Sequence, residues 1–253
     1  MKTLINIQLF YMFHLFFLTS VNSFAQSISP QDLHFIKDYQ IRNFYNSQLI
    51  LSQLDFSKKI LKDPSYKLNH FTSPGCDFQQ EGGLLNIFNS TKIIQESHVN
   101  LGKIFNYSAI DMDIEAQNRK SFFATASLSI FKDNRNRLTV SQKQLDSEKK
   151  QIVFEIIKDG ELVLKEILFD KKFKSPNTLR VHLTGKFFNV LLIKNNDWTV
   201  LGSFDVSEYF ELRDKKVLES FELLFGSTLG SGERIAISKA EQYLTTGTAQ
   251  ADP

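Results

Sequence analysis

The sequence predicts an all-β protein with an antiparallel sandwich or barrel, and three observations lead to this fold class. From Leu49 onward, apolar residues tend to recur at every second position, which is the period of a half-buried strand. Turn-forming residues separate these runs, and almost no helical stretch lies between them. About ten short strands, spaced about 8 to 15 residues apart, are typical of such folds. We interpret residues 47–241 as a single β-sandwich.

The clearest single element is the hairpin QIVFEIIKDGELVLKEILF. Asp159 and Gly160 at its centre accept the positive φ angles of a two-residue type I′ turn, so the flanking strands should pair. The other strands are expected in the runs LLNIF, AIDMDIEA, FFATASLSIF, LTVSQ, LRVHL, FFNVLLI, WTVLGSF, SFELLFG and RIAIS. The segments KDNRNR, Thr184–Lys186 and Asn195–Asp197 are expected to be turns, and SEYFELRDKK and STLGSG are expected to be loops.

The first residues of the chain are typical of a secretory signal peptide. Lys2 precedes a mostly apolar run, and Ser23-Phe24-Ala25 has the small-x-small arrangement of a cleavage site. Because the apolar run is shorter than the roughly 20 residues of a membrane-spanning helix, we expect cleavage near Ala25 and a secreted or periplasmic protein without a membrane span. Residues 26–46 follow as an N-terminal arm or short helix, with Ser29 as its N-cap, Pro30 at its first helical position and Asp32 in its first turn.

Charge and composition narrow the possible partners. The formal net charge of +2 falls to +1 when Lys2 is lost with the signal peptide, which gives no indication of nucleic-acid binding. Cys76 is the one cysteine, so no internal disulfide is possible, and it has no obvious histidine partner for nucleophilic catalysis. The histidines lack metal-ligand spacing, and no loop is rich enough in Asp to indicate calcium. We therefore expect no metal site and no cofactor.

The order of the predicted elements resembles that of a concanavalin A-like lectin/glucanase jelly roll over most of the mature chain. The resemblance is carried by QLDFS, EGGLLNIF, FNYSAIDMDIEA, ATASLSIFKDNRNRLTV and SPNTLRVHLTGKFFNVLLIKNNDWTVLGSFD. It implies a jelly-roll sandwich and a polysaccharide or oligosaccharide as partner.

The final residues, YLTTGTAQADP, carry a second resemblance. They are similar to the junction that joins a jelly roll to a five-bladed β-propeller in secreted bacterial glycoside hydrolases. This resemblance implies that residues 242–253 are a linker toward a second domain and that a propeller hydrolase domain is a partner.

The stretch FNYSAIDMDIEA places Asp111, Asp113 and Glu115 on one face of a strand. Side chains two positions apart on a strand lie about 6.5 to 7 Å apart, close to the roughly 5 to 5.5 Å between the two carboxyl groups of a retaining glycosidase. The stretch also resembles the E-x-D-x-E strand of laminarinase-type jelly rolls, but Asp111 replaces the leading Glu. The alternative is that these acids form the solvated face of a strand whose apolar face is buried. In that case we expect Lys or Arg on neighbouring strands to offset their charge.

A glycan-binding site is indicated by one aromatic residue among polar ones. Trp198 follows Asn195, Asn196 and Asp197, and a sugar can stack on an aromatic ring while amides and carboxylates bind its hydroxyls. Tyr209 and Phe210 on the next loop are candidate companions, and Arg135 lies in a polar turn that could contact a ligand. The alternatives are that Trp198 fills the core at the start of a strand and that Arg135 is a solvated hairpin tip.

Three functions are therefore in competition. The favoured one is an exported, non-catalytic module of a carbohydrate-processing system that binds glycan weakly or packs against a glycoside hydrolase domain. The second is a glycoside hydrolase that acts through Asp111, Asp113 and Glu115, and the third is a structural surface module without a ligand.

Overall fold

The computed structural model describes residues 50–57, 70–72, 76–106, 108–117, 124–146, 149–173, 176–195 and 197–244, without the side chains of 50–54, 70–72, 116, 117, 197, 198 and 244. The predicted signal peptide and N-terminal arm lie outside these ranges. Residues 245–253 of the predicted linker lie outside them too.

The described residues form fifteen β-strands and one short helix. The strands are β1 (Ile50–Asp55), β2 (His70–Thr72), β3 (Cys76–Glu81), β4 (Leu84–Asn89), β5 (Gln95–Lys103), β6 (Ser108–Gln117), β7 (Thr125–Asp133), β8 (Asn136–Gln144), β9 (Lys149–Lys158), β10 (Glu161–Lys172), β11 (Asn177–Thr184), β12 (Phe187–Lys194), β13 (Asp197–Asp205), β14 (Glu222–Leu229) and β15 (Arg234–Leu244). The helix is α1 (Lys215–Leu218).

The strands pair into two antiparallel sheets. The eight-stranded sheet has the order β13-β12-β11-β6-β15-β4-β3, and β1 also pairs with β15, beyond the stretch that pairs with β4. The seven-stranded sheet has the order β10-β9-β8-β7-β14-β5-β2. The predicted all-β antiparallel sandwich is therefore confirmed. β15 continues to Leu244, so the first residues of the predicted linker belong to the sheet.

The core lies between the two sheets and is built from the inward-facing positions of each strand. Ile110, Met112 and Ile114 of β6 are all buried in it, as the alternation of their strand predicts. Across the core, the ring of Phe154 on β9 stacks on that of Phe188 on β12, with centroids 4.8 Å apart. Burial of this apolar surface contributes about 25 cal/mol per Å² and holds the two sheets together.

The predicted hairpin turn between β9 and β10 is confirmed. Asp159 and Gly160 have φ angles of 54° and 92°, as a type I′ turn requires at both central positions. The turns at Asn134-Arg135 and Gly185-Lys186 also connect paired strands as expected.

Two loops differ from the prediction. Part of the expected STLGSG loop is strand, because Ser227 and Leu229 belong to β14 and the turn begins only at Gly230. The expected loop SEYFELRDKK contains the start of α1, whose N-cap Asp214 accepts a hydrogen bond from the Lys216 backbone N–H at 2.8 Å. This one-turn helix has no apolar periodicity long enough to be recognised in a sequence.

Among the described residues, no helix has the length and apolar character needed to cross a lipid bilayer.

Candidate functional site

The acidic strand β6 places its carboxylates on the outer face of the eight-stranded sheet. Asp111, Asp113 and Glu115 alternate with core residues, so they point away from the core. In the antiparallel register, Asp111 lies between Arg180 of β11 and Glu241 of β15. The outer face is therefore a two-dimensional array of charges that three strands contribute.

Asp111 is held by Arg180 and Tyr243. The Arg180 Nε and one terminal nitrogen donate to the two carboxylate oxygens of Asp111, each at 2.6 Å. The Tyr243 hydroxyl lies 3.3 Å from both oxygens, and the guanidinium carbon lies 5.6 Å from the Tyr243 ring centroid. Such a bidentate pair is stronger and more directional than a single ion pair.

The expected offset of the acidic face by basic residues is confirmed by Arg180 and Lys239, but the expected solvation of that face is wrong for Asp111. The exposed fraction is 8% for Asp111 and 6% for Arg180. Asp113 and Glu115 are half-buried. Because a charge loses its hydration on burial, Asp111 and Arg180 have to satisfy each other, and their paired geometry does so.

Asp113 has a different environment from Asp111. It accepts a hydrogen bond from the Thr178 hydroxyl at 2.6 Å and lies opposite Lys239 in the β6–β15 register. Burial raises the pKa of the Asp113 carboxyl, and the charges of Asp111 and Glu241 raise it further, against the lowering effects of Thr178 and Lys239. Lys239 also pairs with Glu241 at 2.6 Å, so part of its charge is directed away from Asp113.

These contacts define what the acidic strand can do chemically. Asp111 has both oxygens engaged by Arg180, so it is poorly placed to attack a sugar carbon as a nucleophile. Asp113 has a raised pKa, which is a property of general acids, and Glu115 is half-buried at the next outward position.

A second buried polar cluster extends the outer face toward β13. His182 lies on this face but is buried, and its Nδ1 lies 3.4 Å from the Thr184 hydroxyl. The Asn189 amide donates to the His182 carbonyl at 3.2 Å and accepts from the Ser203 hydroxyl at 2.6 Å. These hydrogen bonds stabilise β11, β12 and β13 in register.

The predicted glycan-binding turn connects β12 to β13. Asn195 has a φ of 51°, and Asp197 and Trp198 begin β13, opposite Lys194 and Ile193. Asn196 and the side chains of Asp197 and Trp198 lie outside the described part of the structure.

Tyr209 and Arg135 lie at the end of the sandwich opposite the predicted glycan-binding turn. Tyr209 follows β13 and packs half-buried against the core, and Phe210 is buried with the Lys158 Nζ 4.9 Å from its ring centroid. Arg135 forms an exposed hairpin tip and donates to the Asp159 carbonyl at 2.8 Å from its Nη2. Ten residues of β9 separate the two ends, about 30 Å, so Tyr209 and Arg135 do not join Trp198 in one site.

The end that carries the predicted glycan-binding turn contains a group that we call the lysine cluster: Lys150, Lys194 and Phe173. The Lys150 Nζ lies 5.5 Å and the Lys194 Nζ 4.9 Å from the Phe173 ring centroid. Lys150 is the second residue of β9, and Lys194 is the last residue of β12, so the two cations come from opposite sheets. Burial and the nearby Lys194 charge lower the pKa of Lys150 to about 8.

The lysine cluster was not predicted, although the sequence contains a sign of it. Lys150 has the same phase as Ile152, Phe154 and Ile156, which face the core, so period-2 alternation places Lys150 inward as well. Its exposed fraction is 3%. The convergence of Lys194 on the same ring depends on how the sheets stack, which no local pattern reports.

The described part of the chain contains no recognisable metal site and no activated thiol. There, no three His, Cys, Asp or Glu side chains are grouped so that they could hold a metal ion. Cys76 is half-buried, and burial followed by the charge of Asp77 raises its pKa, which disfavours the reactive thiolate.

Comparison of the sequence with known proteins identifies no relative, since no protein-family model and no curated protein matches it.

Comparison of the structure identifies several solved structures. A legume lectin-like domain from Entamoeba histolytica superposes with a TM-score of 0.53 at 10% identity, covering 70% of this chain and 90% of the other. The CBM2 module of the evolved Dit of Lactobacillus casei BL23 phage J-1 gives a TM-score of 0.52 at 10% identity, and the match covers 78% of this chain and 95% of the module. The κ-carrageenase of Pseudoalteromonas carrageenovora, solved with an oligotetrasaccharide of κ-carrageenan, gives a TM-score of 0.51 at 9% identity. This match covers 78% of this chain and 95% of the carrageenase.

A fourth structure is a longer enzyme. The xylan β-1,4-xylosidase of Bacillus halodurans C-125 gives a TM-score of 0.51 at 13% identity, and the match covers 76% of this chain but 39% of the xylosidase. At such identities the similarity concerns the fold alone. The two-sheet topology and these superpositions together show that the chain has the concanavalin A-like β-sandwich fold of lectin-like and glycoside hydrolase domains.

Proposed function

We infer that the protein is an exported, non-catalytic β-sandwich module of a carbohydrate-processing system, which binds glycan weakly or packs against a glycoside hydrolase domain. The observation that carries this proposal is the bidentate pair of Asp111 and Arg180 on the acidic strand. It occupies the carboxylate at the position of the leading Glu of the E-x-D-x-E strand, which the resemblance to laminarinase-type jelly rolls implies to be the nucleophile.

The Asp111–Arg180 pair argues against catalysis for a physical reason. A retaining glycosidase needs one carboxylate free to approach the anomeric carbon and a second carboxyl group to protonate the leaving oxygen. Releasing Asp111 would separate two buried charges that now satisfy each other in a bidentate pair, which is costly in a buried environment. In addition, Asp is one methylene shorter than the Glu of the resembling strand.

The similar structures support a carbohydrate ligand. They include a lectin-like domain, a CBM2 module and a κ-carrageenase crystallised with an oligosaccharide. The xylosidase, of which the match covers 39%, supports the idea that this sandwich also works beside a larger hydrolase domain. The five-bladed propeller as that domain follows from the resemblance of YLTTGTAQADP, and export follows from the signal-peptide pattern of residues 1–25.

Affinity electrophoresis of the purified protein through gels with β-glucan, xylan, fructan or κ-carrageenan tests the binding function. We expect retardation by at least one glycan and its loss in Trp198→Ala. Phe105→Ala is a matched control, because Phe105 is an exposed aromatic residue elsewhere on the molecule. If no glycan retards the protein, the binding function is wrong, and the structural module becomes the better explanation.

A glycoside hydrolase remains the second candidate because of one observation, the raised pKa of Asp113. A half-buried carboxyl group that stays protonated at higher pH is suited to general-acid catalysis. Release of reducing sugar from the same glycans distinguishes the candidates. Release that Asp113→Asn abolishes would support the hydrolase, whereas no release above buffer supports the module.

A further inference from the structure

We propose that the protein forms a homodimer in which strand β10 pairs antiparallel with β10 of a second copy. This pairing joins the two seven-stranded sheets into one continuous sheet, across a two-fold axis perpendicular to it. The inference goes beyond the proposed function, because it concerns an interaction surface and holds whether or not the protein binds glycan.

The first argument is that β10 is a long, apolar edge strand. Among the described strands it pairs with β9 alone, so the backbone N–H and C=O groups of its other side are available to a further strand. Native proteins often keep such edges short, but β10 has 12 residues. Leu162, Val163 and Ile167 of β10 have exposed fractions of 54%, 40% and 57%. An edge of this kind favours pairing with another strand.

The second argument is that the core is incompletely closed along this edge. Leu164 and Leu168 of β10 pack against the core but remain half-buried. So do Leu201 and Phe204 of β13, the edge strand of the other sheet. The two edges lie side by side, since a Cβ added to Gly202 of β13 would lie 3.3 Å from the Leu168 Cδ2. A second copy placed on this side excludes water from the apolar residues of both edges.

The third argument identifies a second copy as the partner. Glu161 is the first residue of β10, and Lys171 is the residue before its last. Both side chains are exposed, and within the described part of the chain neither forms an ion pair. Antiparallel pairing of two identical strands places the acidic end of each beside the basic end of the other. Because opposite charges that face each other across strands stabilise the pairing, this edge is complementary to itself.

The faces of the side chains select one register for the dimer. Glu161 lies opposite Lys158 of β9, which is in phase with the core-facing residues of that strand. Lys171 lies opposite Lys150, which has the same phase. Glu161 and Lys171 therefore lie on the same face of the sheet. Since a perpendicular two-fold axis preserves the face, Glu161 of one copy can lie opposite Lys171 of the other, with Glu166 at the centre.

This register determines two further contacts. Ile167 lies opposite Lys165 of the second copy, and both are on the outer face, because they lie opposite Val153 and Glu155 of β9. The aliphatic part of the Lys165 side chain then covers the exposed Ile167. Glu166 lies opposite its own copy, which is one unfavourable contact between like charges. Removal of the Glu166 charge should therefore strengthen the dimer.

The irregular stretches of β10 are compatible with this pairing. Against β9, the register of β10 shifts between Leu162 and Leu164 and between Ile167 and Phe169. Such bulges bend a strand and can protect an edge from pairing. In the proposed register they lie on either side of Glu166, so that each irregular stretch faces the other one in the second copy.

Sedimentation equilibrium of the purified protein over a wide range of concentrations tests the dimer and gives its dissociation constant. We expect a monomer–dimer equilibrium. Ile167→Lys places a cation opposite Lys165 of the second copy, so it should raise the dissociation constant about tenfold or more. Circular dichroism melting of each variant checks that it is folded. If the protein is a monomer at every concentration, the inference is wrong.

Ile94→Lys is the matched control for Ile167→Lys. Ile94 has an exposed fraction of 54%, close to the 57% of Ile167, but it precedes β5 in another part of the molecule. It should leave the dissociation constant unchanged. If both variants weaken the dimer equally, or if Ile167→Lys changes nothing, the dimer does not use β10 and the inference is wrong.

Charge reversal tests the identity of the partner and the register together. Glu161→Lys and Lys171→Glu should each weaken the dimer, because like charges then face each other at both ends of the paired strands. The double variant Glu161→Lys/Lys171→Glu should restore it. An equimolar mixture of the two single variants should form a heterodimer more tightly than either forms a homodimer.

Glu166→Gln completes the test of the register. It should lower the dissociation constant, because it removes the contact between like charges at the two-fold axis. A double charge-reversal variant that dimerises as weakly as the single ones would overturn the antiparallel pairing. So would a Glu166→Gln variant that dimerises more weakly than the wild type.

Discussion

The guanidinium of Arg180 donates to both carboxylate oxygens of Asp111 at 2.6 Å, although the two residues are 69 positions apart in the sequence. Because β11 pairs with β6, Arg180 and Asp111 lie directly opposite each other. This contact changes an apparently catalytic carboxylate into one member of a buried ion pair. It also leads to the first prediction.

Removal of one partner of this pair should be strongly destabilising. We expect Arg180→Met to lower the free energy of unfolding by about 3–5 kcal/mol, because it leaves the buried Asp111 carboxylate unpaired. Urea denaturation measures this change. The double variant Asp111→Leu/Arg180→Met should be less destabilised than Arg180→Met alone, and a double variant that is less stable still would contradict the explanation.

Asp113 should make the stability of the protein fall as the pH rises through the acidic range. The pKa of the Asp113 carboxyl is raised above 3.8 in the folded state. Between pH 3.8 and this raised pKa, the folded protein therefore binds more protons than the unfolded chain does. The free energy of unfolding consequently falls as the pH rises through this range. Asp113→Asn removes the ionisation and still offers an oxygen to Thr178. We expect it to melt at a higher temperature than the wild type at pH 7, and at the same temperature below pH 3.8. A lower melting temperature at pH 7 would show that the carboxylate stabilises the fold.

Lys150 should make the stability of the protein rise with pH in the alkaline range, the opposite of the effect of Asp113. Its pKa is lowered from 10.5 to about 8 in the folded state, so the unfolded chain binds more protons between these values and stability rises with pH there. Lys150→Met should therefore be more stable than the wild type at pH 7, by up to about 3 kcal/mol. The difference should shrink toward pH 10.5.

Lys149→Met is the control for this pH dependence. Lys149 is half-exposed and pairs with Asp170 at 2.9 Å, so its loss should cost less than about 1 kcal/mol at pH 7. It should leave the rise in stability between pH 8 and 10.5 in place. If Lys149→Met removes the rise and Lys150→Met does not, the assignment to Lys150 is wrong.

The β9–β10 turn should depend on Gly160. Its φ of 92° disfavours any residue with a Cβ, and an added Cβ would lie 3.3 Å from the Arg135 Nε. We expect Gly160→Ala to cost about 1–2 kcal/mol in a thermal or urea unfolding experiment. Asp159→Asn should be neutral, since Asn accepts positive φ well, and equal destabilisation by both variants would point to loss of Asp159 contacts instead.

Several strands could be predicted because their pattern is local. The hairpin around Asp159 and Gly160 and the strands β6 to β8 alternate apolar and polar residues between clear turn residues. β5 was missed because two of its inward positions are Gln95 and Ser97, which break the apolar alternation. Ser97 is nevertheless buried, since its hydroxyl lies 2.7 Å from that of Ser227 on β14. A contact 130 residues away satisfies this polar group, so the first half of the strand has no apolar signature of its own.

Strand alternation in the sequence likewise predicts only part of the candidate sites. Alternation alone placed the carboxylates of β6 on one face, and it also implied the inward direction of Lys150. It could not indicate that Arg180 and Tyr243 would meet Asp111, or that Tyr209 would lie at the opposite end of the sandwich from Trp198.

The sequence by itself determined the all-β class, the faces of most strands and the tight turn at Asp159 and Gly160. These depend on side-chain period and backbone conformation, which are properties of neighbouring residues. Only the tertiary structure decided that Asp111 is neutralised by Arg180 and that Lys150 and Lys194 converge on Phe173. Strand order and sheet stacking bring these residues together, and both follow from the free energy of packing the whole core.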